Sequence, residues 1–337
     1  SNGKTTTKNL VVDVLARKFR VLGTKRSYNG TIGLPLTLLT AGPETEMIVV
    51  ELGSNRPGEI AYLAEIARPD LGLITNLSET HLEYFKTMAG VVREKRALFE
   101  ALPAKGIAFV NLDDPRVADL ESPARRINYS LKHKADVRGR YRESVQGGEL
   151  SIGKETGIQL PLGGLHLARN ALAAAAVGLE LGVPLQQIKE AIEGFRLPSG
   201  RGEIIQHDGV TLIDDSYNAN LASTLAGLQA LMRLPAKGRR IAVFGDMLEL
   251  GRLSEEHHRQ VGLYAVEQGV DEMFCYGTES RVTYCTARSA GMAVHHYTDK
   301  NELAHILGRS IAAGDLVYIK GSRGMAMETI IDTIFSE

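Results

Sequence analysis

Two α/β domains in series, each built on a mostly parallel sheet covered by helices, are what this sequence predicts. Three observations lead there. Continuous apolar runs of strand length alternate with amphipathic helical stretches, the pattern of strands buried between two helical layers. That rhythm stops at Arg196 to Gly202 (RLPSGRG), where Pro, Ser and Gly interrupt both periodicities, and then begins again. The 337 residues also suit two domains, at ~100–200 residues each. The predicted division is 1–197 and 198–337, the second domain being the smaller.

Thr5 to Phe19 sets Leu10, Val11, Val14 and Leu15 on one helical face. Met47 to Leu52 (MIVVEL) is continuously apolar up to its glutamate, which predicts a strand buried on both faces. Ile60 to Ala67 reads as a helix, Leu71 to Asn76 (LGLITN) as a strand, Val91 to Leu102 as a helix and Ile107 to Asn111 (IAFVN) as a strand. Strand–helix–strand units of this kind join parallel strands. From Ala135 to Leu160 short alternating segments punctuated by glycine predict antiparallel hairpins, followed by helices at Leu165 to Leu181 and Leu185 to Gly194. Beyond the break, strands are expected at Val210 to Ile213, Arg240 to Phe244, Glu272 to Tyr276 and Leu316 to Ile319. Helices are expected at Ser223 to Leu234, Ser254 to Gly269 and Met325 to Phe335. Two such domains at a Gly-containing hinge predict a cleft enzyme that closes on its substrates.

A hydrophobic content of 44% with 23% charged residues excludes a disordered or collagen-like chain. Thirty-nine basic against forty acidic residues, a net charge of −1, exclude general attraction to nucleic acid or an anionic membrane. No apolar stretch reaches the ~18–20 residues needed to cross a bilayer, and no signal-peptide pattern opens the chain, so a cytoplasmic protein without membrane insertion is expected. Cys275 and Cys285 lack the spacing of a zinc or redox motif; both are expected to pack, in a reducing compartment.

Ser1-Asn2-Gly3-Lys4-Thr5-Thr6 reads as the right half of a phosphate-binding loop ending G-K-T and opening a helix. Backbone N–H groups and the helix N-terminus favour phosphate oxygens, Lys4 adds a mobile positive charge, and Thr5 offers a hydroxyl to Mg²⁺. The first domain is therefore of the P-loop type, and a leading glycine and its strand are expected to precede Ser1. Glu51 ends MIVVEL, Asn76 ends LGLITN, and Glu79 and His81 follow closely. Ligands of open α/β sheets gather beyond the carboxyl ends of strands. Glu51 and His81 thus either face the phosphate loop or serve as a capping glutamate and a loop histidine. Lys95, beside Arg93 and Arg96 on one helix, reads by itself as a solvated surface lysine.

Longer strings carry a resemblance. They are SNGKTTTK at the loop, NGTIGLPLTLL (29–39), VVELGSNRPGEI (49–60), ITNLSETHLEYF (74–85), VVREKRALFEALP (91–103) and GGLHLARNALAAAA (163–176). The second domain adds SGRGE (199–203), LIDDSYNAN (212–220), VFGDMLELG (243–251) and IKGSRGMAME (319–328). In this order and spacing, over nearly the whole chain, the sequence resembles the Mur ligases, ATP-dependent enzymes that join amino acids or peptides to peptidoglycan precursors. The family's N-terminal domain has no counterpart in the match.

The resemblance implies an ATP-binding middle domain followed by a smaller Rossmann-like domain for the incoming amino acid or dipeptide. The DDSYNAN and GDMLELG strings point to members that add D-alanyl-D-alanine to UDP-N-acetylmuramoyl-tripeptide, acting here as a monomer. ATP and two Mg²⁺ are implied, with Ser1 to Thr6 on the phosphates. Thr5 and Glu51 would hold one ion and His81 would help hold the second. Lys95 would be carbamylated, which turns a cation into an oxygen ligand. Asn170 would contact adenine, Arg201 the phosphates, and Asp215 the ribose and phosphates. Tyr217, Asn218, Asn220, Lys320, Ser322 and Arg323 would line the substrate side. Lys4, His81, Lys95 and Arg201 make the implied catalytic set. Two departures stand out: Leu167 follows His166 where an asparagine is usual, and Tyr28-Asn29-Gly30-Thr31 has one asparagine where two are usual. The alternatives are a related ligase with another acceptor, such as a polyglutamate-adding enzyme, and a non-catalytic nucleotide-binding scaffold. Intact Lys4, Glu51, His81 and Lys95 argue against the scaffold.

Overall fold

The structure, a computed structural model, describes residues 1–25, 28–144, 147–153, 155–160 and 163–336. The chain divides between Arg196 and Leu197 into two units. In the first, α1 (Lys4–Leu15), β1 (Val21–Gly23), α2 (Gly33–Leu38), β2 (Met47–Val49), α3 (Glu59–Ala67) and β3 (Leu71–Ile74) come in turn. Next are α4 (Leu82–Phe85), α5 (Met88–Glu100), β4 (Ile107–Asn111), α6 (Pro115–Ala118), β5 (Arg125–Ser130) and β6 (Val137–Ser144). The unit ends with β7 (Gly147–Ile152), β8 (Glu155–Leu160), α7 (Leu165–Glu180) and α8 (Leu185–Glu193).

Strands β3 to β8 form one sheet in sequence order, parallel from β3 to β6 and antiparallel from β6 to β8. The expected hairpins are there; residues 145, 146 and 154 of that segment lie outside the described residues. The apolar face of α1 is buried, and α7 is buried along most of its alanine-rich length. Small side chains explain how closely these helices cross: a Cβ at Gly178 would lie 2.5 Å from a Val14 methyl carbon.

One strand departs from expectation. MIVVEL yields only the three-residue β2, with Ile48 43% exposed. Its one ladder neighbour among the described residues is β1. LGLITN stops pairing at Ile74 because Thr75 and Asn76 turn their side chains to the first loop. Strand β5 (RRINYS) was not expected, since its leading arginines break the apolar run.

The second unit holds β9 (Glu203–His207), β10 (Val210–Asp215), α9 (Leu221–Arg233), β11 (Arg240–Gly245), α10 (Ser254–Gln268) and β12 (Glu272–Tyr276). It continues with α11 (Arg281–Ser289), β13 (Ala293–Tyr297), α12 (Lys300–Ser310), β14 (Leu316–Lys320) and α13 (Glu328–Ser336). The sheet order is β13-β12-β11-β14-β10-β9, parallel except for the antiparallel edge strand β9. Alternate residues feed two cores. Ala242, Phe244, Met273 and Tyr318 pack with Leu228 and Val261, while Ile241, Val243, Phe274 and Val317 pack with Leu303, Leu307 and Ile330. Burial on both faces is why these strands read as continuous apolar runs.

Helix α13 begins at Glu328, later than expected, after Ala326 takes a left-handed φ of 47°. Cys275 is buried but Cys285 is exposed, against the expectation that both pack. Among the described residues no helix is long and apolar enough to cross a membrane.

Candidate active site

The opening loop is docked on the carboxyl end of β3. Asn2 N–H donates to Asn76 Oδ1 (2.9 Å), while Asn76 Nδ2 (2.9 Å) and Thr75 Oγ1 (2.8 Å) donate to the Asn2 carbonyl. Ser1 Oγ accepts from Ser78 N–H at 3.0 Å. Lys4 folds back over this loop and donates from Nζ to the Ser1 carbonyl at 2.8 Å. Gly3 caps α1 with φ 75°, a left-handed geometry that favours glycine. A Cβ there would also lie 2.6 Å from Asn170 Oδ1, so the loop and the α7 asparagine abut directly. Thr5 and Thr6 open α1 and are buried.

Glu51 lies two residues past β2 and is 5% exposed. Its carboxylate is held at both ends. Oε2 accepts from the Thr5 hydroxyl at 2.6 Å and Oε1 from Asn29 Nδ2 at 2.8 Å. Asn29 is fixed in turn by Gly53 N–H, which donates to its carbonyl at 2.8 Å. The sequence placed Thr5 and Glu51 near one loop but gave no sign that Asn29 clamps Glu51, because a contact across 22 residues has no local pattern.

Lys95 is not solvated. Helix α5 buries Val91, Glu94, Lys95 and Phe99, one helical face, and Lys95 is 8% exposed. Its Nζ donates to Ser54 Oγ at 2.5 Å and lies 5.7 Å from the centre of the Phe85 ring. Burial, and then the positive charge of Lys4, push its pKa down from an ordinary 10.5 to about 7, against the opposing charges of Glu94 and Glu59. His81 meets the same Phe85 ring edge-on, with centroids 6.3 Å apart. It sits in a left-handed conformation (φ 52°) just before α4, a strained position of the kind found at functional loops.

Magnesium fits the Thr5–Glu51 pair, a hydroxyl and a carboxylate in contact, both hard oxygen donors. His81 and an unmodified Lys95 do not supply such a set, since an ammonium has no lone pair. Among the described residues no three His, Cys, Asp or Glu side chains converge as a metal cluster. Mg²⁺ sites commonly have few protein ligands, being completed by water and phosphate.

In the second unit, Asp215 ends β10, and its Oδ2 accepts from Lys320 Nζ (2.6 Å) and from the Tyr318 hydroxyl (2.7 Å). Lys320 also donates to the Asn218 carbonyl at 2.9 Å. Ser322 Oγ accepts from Leu248 N–H at 2.8 Å, and Ser322 N–H donates to the Asp246 carbonyl, which ties GDMLELG to KGSRG. The Asn220 side chain caps α9 by accepting from Ser223 N–H, in a reciprocal capping box. Asn220 and Ser322 therefore shape the motif loops. The Arg201 guanidinium stacks on the Tyr217 ring at 3.8 Å, and Arg323 lies 5.9 Å from the same ring. Tyr318, in an apolar run, carries no signal in the sequence that its hydroxyl serves Asp215.

Residues 1–178 match the Mur ligase middle domain, and residues 200–323 match the Mur ligase, glutamate ligase domain. UDP-N-acetylmuramoyl-tripeptide–D-alanyl-D-alanine ligase of Escherichia coli is 36% identical over 98% of this chain and 74% of that protein. The Bacillus subtilis protein of the same name is 33% identical over 98% and 73%. The crystal structure of MurF from Acinetobacter baumannii superposes with a TM-score of 0.91 at 28% identity, covering 100% of this chain and 75% of that one. MurF from Thermotoga maritima in complex with ADP superposes at 0.87 and 26%, covering 100% and 78%. By the reach of both matches and the identity to these relatives, the chain belongs to the Mur ligase family.

Proposed function

We propose that the chain carries out ATP-dependent, ADP-forming ligation of D-alanyl-D-alanine to UDP-N-acetylmuramoyl-tripeptide, in peptidoglycan precursor synthesis. The observation that carries this reading is the 36% identity to a ligase of that name, over 98% of the chain. The docked phosphate loop and the Thr5–Glu51 pair supply the chemistry such a ligase needs.

A carboxylate is a poor electrophile. The precursor's terminal carboxylate therefore attacks the γ-phosphorus of ATP, breaking its bond to the bridging oxygen and releasing ADP. The amine of D-alanyl-D-alanine then attacks the acyl-phosphate carbonyl, loses a proton, and the tetrahedral intermediate expels phosphate. Lys4 exchanges the Ser1 carbonyl for a phosphate oxygen, beside the N–H groups that open α1. Bound Mg²⁺ would neutralise charge on the phosphates, held by Thr5 and Glu51. Asn29 keeps the Glu51 carboxylate in place for that task.

A second ion would be held by His81 together with Lys95 as its carbamate, whose oxygens would supply the hard donors that the unmodified lysine lacks. A lysine with a pKa near 7 is substantially neutral at physiological pH. Its amine lone pair can attack CO2, and loss of one N–H proton leaves two new oxygens. Asn170 would contact adenine, Asp215 the ribose, and Arg201, whose guanidinium rests on the Tyr217 ring, the phosphoryl oxygens. Tyr217, Asn218 and Arg323 meet the acceptor, while Asn220, Lys320 and Ser322 hold their loops. We infer a cytoplasmic monomer, and an exposed free thiol at Cys285 suits a reducing compartment.

The test uses the full-length enzyme with ATP and UDP-N-acetylmuramoyl-tripeptide. Phosphate release should depend on D-alanyl-D-alanine and fall at least about a hundredfold with single amino acids, the rejection expected when buried polar groups lose their partners. Equal rates with D-glutamate or L-alanine would overturn the assignment.

A further inference from the structure

We propose that Tyr318 is a positioning residue for the nucleotide: its hydroxyl fixes Asp215 so that the other carboxylate oxygen points at a ribose hydroxyl. This rests on the reading of Asp215 as a ribose contact. Strands β10 and β14 pair in parallel, with Ile213 opposite Tyr318 and Asp215 opposite Lys320. Tyr318 and Lys320 are two residues apart on one strand and so share a sheet face. The phenol reaches diagonally along β10 to Asp215 Oδ2 at 2.7 Å, and Lys320 Nζ reaches the same oxygen at 2.6 Å.

Both donors lie below the carboxylate. Tyr318 and Lys320 are each 2% exposed, whereas the Asp215 side chain retains 24%. Oδ1 accepts no hydrogen bond from the described residues, so its lone pairs are left for a ligand. A carboxylate's terminal torsion is broad, and two donors converging on one oxygen remove that freedom. Lys320 supplies charge on a long, flexible stem; the tyrosine supplies direction.

The fold makes specific room for the phenol. A Cβ at Gly227 of α9 would lie 1.7 Å from the Tyr318 hydroxyl oxygen, so no side chain larger than glycine's is accommodated there. Phe244 meets the ring edge-on with centroids 6.1 Å apart. Burial, and Asp215 beside it, hold the Tyr318 pKa well above its ordinary value, so the hydroxyl stays a donor at working pH. The geometry fits a ligand hydroxyl that donates to Oδ1, as a ribose 2′- or 3′-OH does.

Tyr318→Phe keeps the ring and removes only this donor. In the full-length enzyme, with the other substrates saturating, KM for ATP should rise about threefold to tenfold, as for the loss of one hydrogen bond, with kcat changed less than about twofold. With 2′,3′-dideoxy-ATP, which has no hydroxyl to be received, wild type and Tyr318→Phe should share one KM. An unchanged KM for ATP, or an equal rise for both nucleotides, would overturn the proposal, the latter showing a merely structural role. Asp215→Asn separates the two levels. If it leaves KM for ATP unchanged, the ribose reading of Asp215 fails and this inference with it. If it raises KM while Tyr318→Phe does not, only the inference about Tyr318 fails.

Discussion

Replacing Lys95 by methionine, a side chain of similar length without charge, should stabilise the nucleotide-free protein in mildly acidic solution and lose that advantage as pH rises. Lys95 is buried with its pKa lowered to about 7, while in the unfolded chain it keeps the ordinary 10.5. Between those values the unfolded chain binds a proton that the folded chain does not, so the folded state gains stability as pH rises through that window. Below about pH 7 the penalty is present in full. Roughly 3.5 pKa units at ~1.36 kcal/mol each make about 5 kcal/mol, an upper limit. Methionine forfeits the bond from Nζ to Ser54 Oγ and the contact with Phe85, together about 1–2 kcal/mol. The balance is a gain of about 3 kcal/mol near pH 6. Near pH 9 only about 2 kcal/mol of penalty remains, and the gain vanishes. Urea unfolding of the first unit's transition, followed by circular dichroism in CO2-free buffer with a chelator, measures this. A gain that does not vary with pH, or a loss near pH 6, would refute the reasoning.

Lys4→Ala and Glu51→Ala should each reduce phosphate release about 10²–10³-fold in the full-length enzyme at saturating Mg²⁺, with unchanged circular dichroism; near-normal turnover in either removes the phosphate-site assignment. Lys95→Ala should be nearly inactive and partly restored by millimolar acetate, which can enter the vacated space as a carboxylate, whereas Lys95→Arg should be inactive with or without it. Substantial activity of Lys95→Arg without added acid would exclude a carbamate. Gly227→Ala drives a methyl group into the Tyr318 hydroxyl and should cost about 1–3 kcal/mol despite alanine's better helix propensity; a melting temperature at or above wild type would contradict that packing.

The strands IAFVN and EMFCY run where their apolar residues predict, because each is sandwiched by helices and the run is unbroken. MIVVEL has the same signature and misleads, since a run of side chains does not record how many neighbours a strand acquires. AVHHY and RRINYS are strands whose histidines and arginines conceal them. The site shows the same division. Gly3, Lys4 and Thr5 are adjacent and legible as a loop, and Glu51 as the residue beyond a strand. The burial of Lys95 was not legible, because Arg93 and Arg96 beside it suggest a wet face while the inward face is set by Val91, Glu94 and Phe99. Asn29 and Tyr318 act through partners 22 and 103 residues away, a distance at which spacing carries no information.

Glu94 accepts the N–H groups of Gly58 (2.7 Å) and Ile60 (2.8 Å), and its neighbour Lys95 holds Ser54. Two successive residues of α5 thus grip one stretch of chain, from just beyond Glu51 to the first turn of α3. A stretch anchored in this way opens with its anchor, so α5, the 54–60 segment and the start of α3 should behave as one cooperative unit of local unfolding. The amide protons of Gly58 and Ile60 would then exchange with solvent at the pace of α5. Modification of Lys95, which changes the charge beside Glu94, would be felt as altered protection several residues away along the backbone that follows Glu51.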